Sequence, residues 1–405
     1  MYGNYKTMLA VLIAFVVMAP ATFCAQEFVY VGSDIQSANG NSIFAFQRAA
    51  DGHLTAVPGS PFLTGGAGVQ DSSLALGPYD SDQNVIVDQE RKLLFAVNAG
   101  SDTVAVFHIT SNGSLTAVKG SPFPSGGTNP VSVGISGNLL FVVNKNGDFP
   151  RLSPVLPNYA VFRVDSDGSL SQIREATISV ALGSSPSQAL VASGRNLLFG
   201  ADFFGGLLQA FKIREDGHLT QRSPVALPDS EFENSPAPRL SLGLMTHPTL
   251  PYLYTGFVTI NRLGVYRFDE NGHLSFVRSV PNSGVAICWV RTNRSGRRLY
   301  TSNTGAFDTS TMSVYDSSDP ARPHEIQTIT LLGQGNVRQF ELSKDGRFLF
   351  ALTSRFSNLI PQGAGNALHI LSIANDGTMS ENIDPIVFNL PIGSEPQGVA
   401  VYVQQ

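Results

Sequence analysis

The sequence predicts an all-β chain that folds as a seven-bladed β-propeller with four antiparallel strands in each blade. Three observations predict this fold: a recurring Asp-Gly or Asn-Gly turn, a second strand pair ahead of each turn, and an unpaired strand at each end of the chain. Four-stranded sheets that repeat radially are the blades of a propeller. A repeat of this kind favours one array over the two or three domains that 405 residues would otherwise suggest.

The recurring turn has the pattern Asp/Asn-Gly-x-Leu, with Met replacing Leu in one copy. Its six copies begin at Asp51, Asn112, Asp167, Asp216, Asn271 and Asp376. Such dipeptides between alternating apolar segments are the strongest short-range hairpin signal, because tight hairpin turns need a positive φ. The copies recur roughly every 50–60 residues, except for a doubled interval before Asp376. We place a degenerate seventh copy at residues 318–323, Ser-Asp-Pro-Ala-Arg-Pro.

Each unit also carries a strand pair upstream of its turn, of which 85–88 followed by 93–98 is typical. The chain starts with the second strand of such a pair (28–31) and ends with a first strand (396–403). We therefore expect the C-terminal strand to join the N-terminal blade and close the ring, which removes an exposed sheet edge.

The predicted connections differ in length between the two faces of the ring. If the strands of a blade are called A to D from the channel outward, A–B and C–D turns lie on one face, and B–C and D–A connections on the other. All the long connections belong to the second face: 59–83, 145–158, 225–239 and 354–366. Long loops on a rigid scaffold usually carry the binding residues, so we expect the ligand site on this long-loop face.

The N-terminus is typical of an export signal. Lys6 precedes an apolar segment, 8–19, that is too short to span a bilayer, and small residues follow it. We expect residues 1–25 to be a signal peptide, with cleavage after Ala25 or Cys24, and residues 26–405 to form a secreted or periplasmic propeller. A lipid anchor on Cys24 is an alternative against which the bulky Phe23 argues.

Composition restricts the partners and the cross-links. The net charge is −5 and only 14% of residues are charged, without a basic stripe, so we expect no nucleic-acid partner. No later segment is long and apolar enough to cross a membrane. Removal of the signal would leave Cys288 alone, so no internal disulfide is expected. We expect a monomer that binds a small-molecule lactone or a glycan.

Several motifs resemble those of a known family. Asp51-Gly52-His53-Leu54 with Gly59-Ser60-Pro61-Phe62, and 112–115 with 120–123, are similar to repeats of the lactonase family of seven-bladed propellers, which includes the 6-phosphogluconolactonase type and the fungal carboxymuconate cyclases. Residues 343–350 and 245–248 resemble that family's Asp-Gly-Arg and His-Pro turns. The resemblance covers residues 27–403 and implies hydrolysis of a sugar-derived or other small lactone.

The chain departs from that family where the resemblance implies catalytic His, Arg and Glu residues. Residues 185–189 contain no histidine, although Asp202 matches the family's aspartate. Leu-Gly at 242–243 and Gly-Phe at 256–257 stand where the family has Arg-His and Asn-Glu. These departures favour a second hypothesis, a non-catalytic exported propeller that binds a glycan, peptide or protein through its long-loop face.

Opening a lactone needs a base that activates water and donors for the developing oxyanion. In a propeller these groups should come from A-strand starts and B-strand ends around the channel on the long-loop face. We select Asp202 as the acid or base and Arg338 as the cation for an anionic group. The candidate ligand-binding residues are Asn98, Asn129, Asn144, Gln188, Arg239, Asn303, Glu395 and Gln397. The alternative is that each of them satisfies backbone groups at the rim.

We expect no cofactor and no metal centre. Residues 165–169 resemble the start of a calcium loop but lack its later carboxylate. His247 is expected in a turn on the short-loop face, and His53, His218 and His273 at the outer surface. No hydrolase-nucleophile, zinc or phosphate-loop motif occurs. A cation in the central channel would leave no sequence pattern.

Overall fold

The structure, a computed structural model, describes residues 1, 3, 25–69, 81–145, 155–305, 310–355 and 364–404. The described residues form seven antiparallel sheets whose inner strands neighbour one another in ring order. Nearly all of the expected signal peptide lies outside the described residues. Cys24, at which both an alternative cleavage site and a lipid anchor were considered, lies outside them as well.

The blades follow the chain in order, with the A strand given first in each. Blade 1 contains β32 (Gln397–Val403), β1 (Glu27–Gly32), β2 (Ser42–Arg48), β3 (Leu54–Ala56) and β4 (Phe62–Leu63). Blade 2 contains β5 (Val85–Asp88), β6 (Leu93–Asn98), β7 (Thr103–Ile109), β8 (Leu115–Ala117) and β9 (Phe123–Pro124). Blade 3 contains β10 (Pro130–Ser136), β11 (Leu139–Asn144), β12 (Asn158–Val164), β13 (Leu170–Gln172) and β14 (Ile178–Ser179). Blade 4 contains β15 (Leu190–Val191), β16 (Leu197–Asp202), β17 (Leu207–Ile213), β18 (Leu219–Gln221) and β19 (Val225–Ala226).

The other three blades have four strands each. Blade 5 contains β20 (Ser241–Thr246), β21 (Tyr252–Phe257), β22 (Arg262–Phe268) and β23 (Leu274–Pro281). Blade 6 contains β24 (Ile287–Thr292), β25 (Arg298–Asn303), β26 (Thr311–Asp316) and β27 (His324–Thr330). Blade 7 contains β28 (Asn336–Leu342), β29 (Phe348–Ser354), β30 (Ala367–Ile373) and β31 (Met379–Val387). Helix α1 (Asp229–Phe232) and 3-10 turns at Arg174–Ala176 and Val258–Ile260 lie in connections.

The ring closes as the sequence predicts. Strand β32 pairs antiparallel with β1, with Val401 opposite Val29 and Ala400 opposite Tyr30. Strand β1 also pairs with β2, so both of its edges are hydrogen-bonded. The C-terminal strand therefore completes the N-terminal blade.

The core lies between the blades. The B strands β1, β6, β11 and β16 are buried along their whole length, because both of their faces pack against a neighbouring blade. Phe95 and Val142, for example, belong to one apolar cluster between blades 2 and 3. Burial on both faces explains why these strands are continuous apolar runs in the sequence.

The Asp-Gly turns join the C and D strands, as predicted. Gly113 has a φ of +80°, and the Asn112 side chain accepts a hydrogen bond from the Ser114 N–H at 3.2 Å. A Cβ on Gly113 would overlap the ring of Phe28 in blade 1, because the turn packs on the preceding blade. The predicted degenerate turn lies in the connection between β26 and β27.

The A strands bend at a shared level near the long-loop face. Five of them show a register shift against their B strand, in blades 1, 3, 5, 6 and 7. A β-bulge re-aims the bulged side chains. In blade 7 this shift covers Arg338 and Gln339, and in blade 6 it covers Cys288 and Trp289.

Candidate functional site

Residues 81–84 lie across the central channel. Arg291 of β24 donates two hydrogen bonds to the Asp82 carboxylate, at 2.7 and 3.1 Å. On the opposite wall, the Asp82 N–H donates to the Ser187 carbonyl at 3.1 Å. The segment thus links blade 2 to blades 4 and 6 through the interior of the ring.

Two further side chains hold this segment from blades 6 and 7. Trp289 Nε1 and Gln339 Nε2 donate to the Ser81 carbonyl at 3.1 and 2.6 Å. Trp289 is 1% exposed and lies in an apolar cluster between blades 6 and 7. It therefore acts in packing and in anchoring the segment, and offers no exposed platform for a ligand.

A buried ion pair lies at the long-loop end of the channel, between blades 7 and 1. Arg338 comes from the bulge of β28 and Glu395 from the connection that leads into β32. Arg338 Nη2 is 3.8 Å from Glu395 Oε2, and the two side chains are 5% and 6% exposed. Burial raises the pKa of Glu395 to about 7, although Arg338 and Arg355 act to lower it. A carboxyl group with this pKa exists in both protonation states near neutral pH, as general acid–base catalysis requires.

The connection that carries Glu395 is fixed from both neighbouring blades. Its backbone carbonyls accept hydrogen bonds from the side chains of Ser354 at 3.1 Å, Asn366 at 3.3 Å and Gln36 at 2.7 Å. Asn366 Oδ1 also accepts from the Arg355 N–H at 2.7 Å, which positions the start of the B–C connection of blade 7. The carboxyl group is therefore held by a hydrogen-bonded loop.

The A-strand starts around the channel carry buried polar atoms without a partner. Gln397 is 3% exposed, and neither atom of its side-chain amide is hydrogen-bonded within the described residues. The same holds for one side-chain oxygen in each of Ser185, Ser241 and Asn336. Buried polar groups are almost always hydrogen-bonded in folded proteins, so each of these atoms is a candidate contact for water or a polar ligand.

Asp202 ends β16 at the rim of the channel and is 1% exposed. Its Oδ1 accepts hydrogen bonds from the Ser185 N–H at 2.7 Å and the Gly205 N–H at 3.0 Å. Both partners are backbone groups of connections that flank the strand. These bonds hold the Asp202 carboxylate against the connections on either side of the strand.

The three predicted asparagines at B-strand ends occupy equivalent places in blades 2, 3 and 6, and each is fully buried. Asn98 Oδ1 accepts from Thr64 at 2.7 Å. Asn144 Nδ2 donates to Asn158 at 3.0 Å, and Asn303 Nδ2 donates to Ser313 at 2.9 Å. These bonds tie together strands and connections of the sheets, while the side-chain oxygens of Asn144 and Asn303 have no hydrogen-bond partner within the described residues.

The remaining predicted residues are spread around the ring. Gln188 lies in the channel wall, where its amide bonds to the Leu244 backbone at 2.7 and 3.0 Å. Asn129 precedes β10, and its N–H donates to Asp102 at 2.7 Å. Arg239 pairs with Asp229 of α1, and its side chain is 43% exposed. The structure thus brings Arg338 and Glu395 together, while Gln397 follows two residues later and lines a small void between blades 1 and 2.

Sequence reasoning missed Arg355, Asp82 and Arg291. Arg355 directly follows the B strand of blade 7. Candidates in other blades were selected at the ends of their B strands. Asp82 belongs to a long connection whose path across the channel has no sequence signature. Arg291 was detectable as a charged residue within an otherwise apolar A strand.

The histidines do not enter this site. His247 accepts hydrogen bonds from the backbone of Thr249 and Leu250 at 3.2 and 3.0 Å, and burial lowers its pKa. In the described ranges, no group of three or more His, Cys, Asp or Glu residues is placed to hold a metal ion. A search of the same ranges finds no helix with the length and apolarity needed to cross a membrane.

Fold and channel together define a seven-bladed β-propeller with a buried carboxyl–guanidinium pair at its long-loop end. Solved structures similar to this chain include a Bacteroides fragilis protein provisionally named a 6-phosphogluconolactonase, with a TM-score of 0.68, 15% identity and coverage of 96% of this chain and 100% of that one. Another is the periplasmic gluconolactonase of Pseudomonas aeruginosa, with a TM-score of 0.67, 15% identity and coverage of 92% and 99%. A Lactobacillus plantarum protein aligns with a TM-score of 0.69 at 15% identity, over 94% of this chain and all of that one. No family profile and no curated protein sequence matches the chain.

Proposed function

We propose that the protein hydrolyses a small, sugar-derived or other lactone at the junction of blades 7 and 1 on the long-loop face. The observation that carries this proposal is the buried Glu395, whose pKa is raised to about 7, beside the buried guanidinium of Arg338. The similarity in fold to proteins named as gluconolactonases supports it.

In the proposed reaction, Glu395 acts as a general base. Its carboxylate takes a proton from a water molecule while the water oxygen bonds to the lactone carbonyl carbon. Arg338, aided by the positive charge of Arg355, stabilises the negative charge on the carbonyl oxygen. The ring C–O bond then breaks, and protonated Glu395 gives its proton to the leaving alkoxide, which yields the open hydroxy acid.

Gln397 and Asp202 have supporting roles in this proposal. The Gln397 amide offers one donor and one acceptor group to the hydroxyls of a sugar ring, since neither atom is used within the described residues. Asp202 is assigned to positioning, because the bonds to its carboxylate come from two backbone N–H groups.

A non-catalytic binding function is the second candidate. The oxygens of Ser185, Ser241 and Asn336 and the Gln397 amide, which have no partner within the described residues, lie at or near the A-strand starts of four blades. These groups would bind the hydroxyls of a glycan without any chemistry. On this candidate, ligand contacts would extend across blades 4, 5, 7 and 1.

Export and oligomeric state complete the proposal. We infer a secreted or periplasmic location from the N-terminal segment 8–19, and the periplasmic location in the name of the Pseudomonas aeruginosa protein supports it. The monomer remains the oligomeric state that we propose. N-terminal sequencing of protein recovered outside the cytoplasm, and sedimentation of the purified protein, test these two points.

The direct experiment is an assay of the purified protein against a panel of sugar and aliphatic lactones. Glu395→Gln should lower kcat by about 10²–10⁴-fold, the usual contribution of a general base. Glu215→Gln, in an exposed turn, is the matched control and should retain full turnover. A folded protein that turns over no lactone but binds sugars would establish the second candidate.

A further inference from the structure

A groove of about 940 Å³ lies between blades 6 and 7 on the short-loop face. Its walls are formed by the A–B turns of the two blades and by the C–D turn of blade 7. It shares Thr292, Glu341 and Lys344 with a cavity of about 250 Å³ at this end of the channel. Neither void is lined by Arg338, Glu395 or Gln397, so the groove is separate from the proposed lactone site.

Positive charge predominates in this groove. Five cationic side chains line it: Arg294, Arg297, Arg298, Lys344 and Arg347. Three acidic side chains accompany them: Glu341, Asp345 and Asp376. The chain as a whole carries a net charge of −5, so the charge of the groove is opposite in sign to that of the whole protein. A locally positive surface on an acidic protein attracts anions selectively.

The acidic groups are already engaged. Asp345 pairs with Arg48 at 2.7 Å and with Arg347 at 3.1 Å. Glu341 pairs with Arg291 at 3.2 Å, so its charge is turned toward the channel. Asp376 accepts hydrogen bonds from the backbone and hydroxyl of Thr378, at 2.9 and 2.7 Å.

Three cations in the groove remain without an acidic partner. The side chains of Arg294, Arg297 and Lys344 have no hydrogen bond or ion pair in the part of the chain that the structure describes, and all three residues are exposed. Arginine presents a planar fork of donors that matches a carboxylate. The groove therefore offers unused donors for several carboxylates.

The lining favours a peptide over a sugar chain. Among the described residues that line the groove, Tyr300 is the single aromatic one. It is 1% exposed, and its hydroxyl donates a hydrogen bond to the Gly377 carbonyl at 3.1 Å. A pyranose ring would therefore find no exposed aromatic face on which to stack. The three turns instead present polar backbone groups and cations, which suit an extended acidic segment.

We propose that this groove binds a short acidic peptide segment of a partner protein, through Arg294, Arg297 and Lys344. The partner's Asp or Glu carboxylates pair with these cations, and its backbone lies along the turns of blades 6 and 7. Binding here leaves the long-loop face open.

The test is fluorescence anisotropy of a labelled hexaglutamate peptide, with hexaglutamine as the neutral probe, on the full-length protein. Arg294→Gln/Arg297→Gln should weaken hexaglutamate binding about tenfold, and salt at about 0.15 M should weaken it further. The matched control is Arg174→Gln/Arg322→Gln, which removes two exposed arginines outside the groove and changes the net charge equally. The control should bind like the unmodified protein.

Three results would overturn the proposal: no binding of hexaglutamate, an equal loss in both double variants, or binding of an oligogalacturonate in the groove without binding of the peptide. Lactone turnover in the Arg294→Gln/Arg297→Gln variant should stay unchanged. The failure of one proposal is therefore distinguishable from the failure of the other.

Discussion

The hydroxyl of Tyr254 in blade 5 donates a hydrogen bond to the backbone carbonyl of Pro320 in blade 6, at 3.1 Å. Tyr30 makes the same bond to Gly113, at 2.9 Å, and Tyr300 to Gly377, at 3.1 Å. In each pair a B-strand tyrosine binds the C–D turn of the next blade. The blade 6 turn lacks the Asp-Gly motif but keeps the contact, which shows how a degenerate repeat retains its place in the ring.

Because these turns pack on the preceding blade, we expect replacement of a turn glycine to lower the stability of the protein. Gly113→Ala combines a positive φ with overlap of the new Cβ and the Phe28 ring, so we expect a loss of about 3 kcal/mol in the free energy of unfolding. Gly346→Ala has a similar φ of +70° but open space at the Cβ, and should lose about 1 kcal/mol. Denaturant unfolding measures both. Equal losses would show that the packing on blade 1 contributes nothing.

Thr353, His369 and Glu381 form a buried hydrogen-bonded relay in blade 7. It is connected like a catalytic triad, but we expect it to stabilise the fold and not to take part in catalysis. His369 Nδ1 lies 2.6 Å from Glu381 Oε1, and its Nε2 lies 3.0 Å from Thr353 Oγ1. The histidine and glutamate side chains are 1% and 4% exposed, which leaves no access for a substrate. His369→Leu should lower the free energy of unfolding by about 2–4 kcal/mol, because it leaves a buried carboxyl without its partner.

Thr353→Val removes only the hydroxyl of this relay and should cost about 1 kcal/mol. Lactone turnover should be unchanged in both variants at a temperature where they are folded. A loss of turnover without a loss of stability would instead identify Thr353 as a nucleophile.

The segment across the channel depends on the Arg291–Asp82 pair. Arg291→Met leaves Asp82, which is 1% exposed, as a buried charge without its cation, and should cost about 3–5 kcal/mol. Adding Asp82→Asn removes that charge, so the double variant should be more stable than the single Arg291→Met variant. A double-mutant cycle by denaturant unfolding measures the coupling. Additive losses would contradict a direct interaction.

The raised pKa of Glu395 predicts that the contribution of this residue to stability falls as the pH rises. Because its pKa rises from 4.5 to about 7 on folding, the folded state holds a proton that the unfolded state has released between these values. The contribution of Glu395 is therefore favourable below pH 4.5 and is lost as the pH rises through about 7. Glu395→Gln should be more stable than the unmodified protein at about pH 8, by about 1–3 kcal/mol, with little difference at about pH 5. A variant that is less stable at both values would contradict the raised pKa.

The architecture of this protein can be predicted from its sequence because each blade is built from hairpins between consecutive strands. Turn glycines such as Gly113, the continuous apolar B strands and the unpaired terminal strands each determine a local pairing, and the ring follows from their repetition. The long-loop face was predictable for the same reason, since connection lengths can be read directly.

The candidate site was only partly predictable. Arg338, Glu395 and Gln397 were selected because they lie at A-strand starts, but the bulge that directs Arg338 inward breaks the two-residue period and has no sequence signature. Asp202 occupies the expected rim position, yet two backbone N–H groups bind its carboxylate, a fact that depends on the paths of neighbouring connections. The pairing of Asp82 with Arg291 depends in the same way on the path of a long connection.

The pH dependence of kcat/KM for lactone hydrolysis tests the central claim most directly. If Glu395 is the base, kcat/KM should rise with pH, reach half its maximum near the pKa of about 7, and level off above it. Glu395→Gln should abolish this limb together with most of the turnover. A profile that is flat between about pH 5 and pH 8, or turnover that survives Glu395→Gln, would contradict the assignment of Glu395 as the catalytic base.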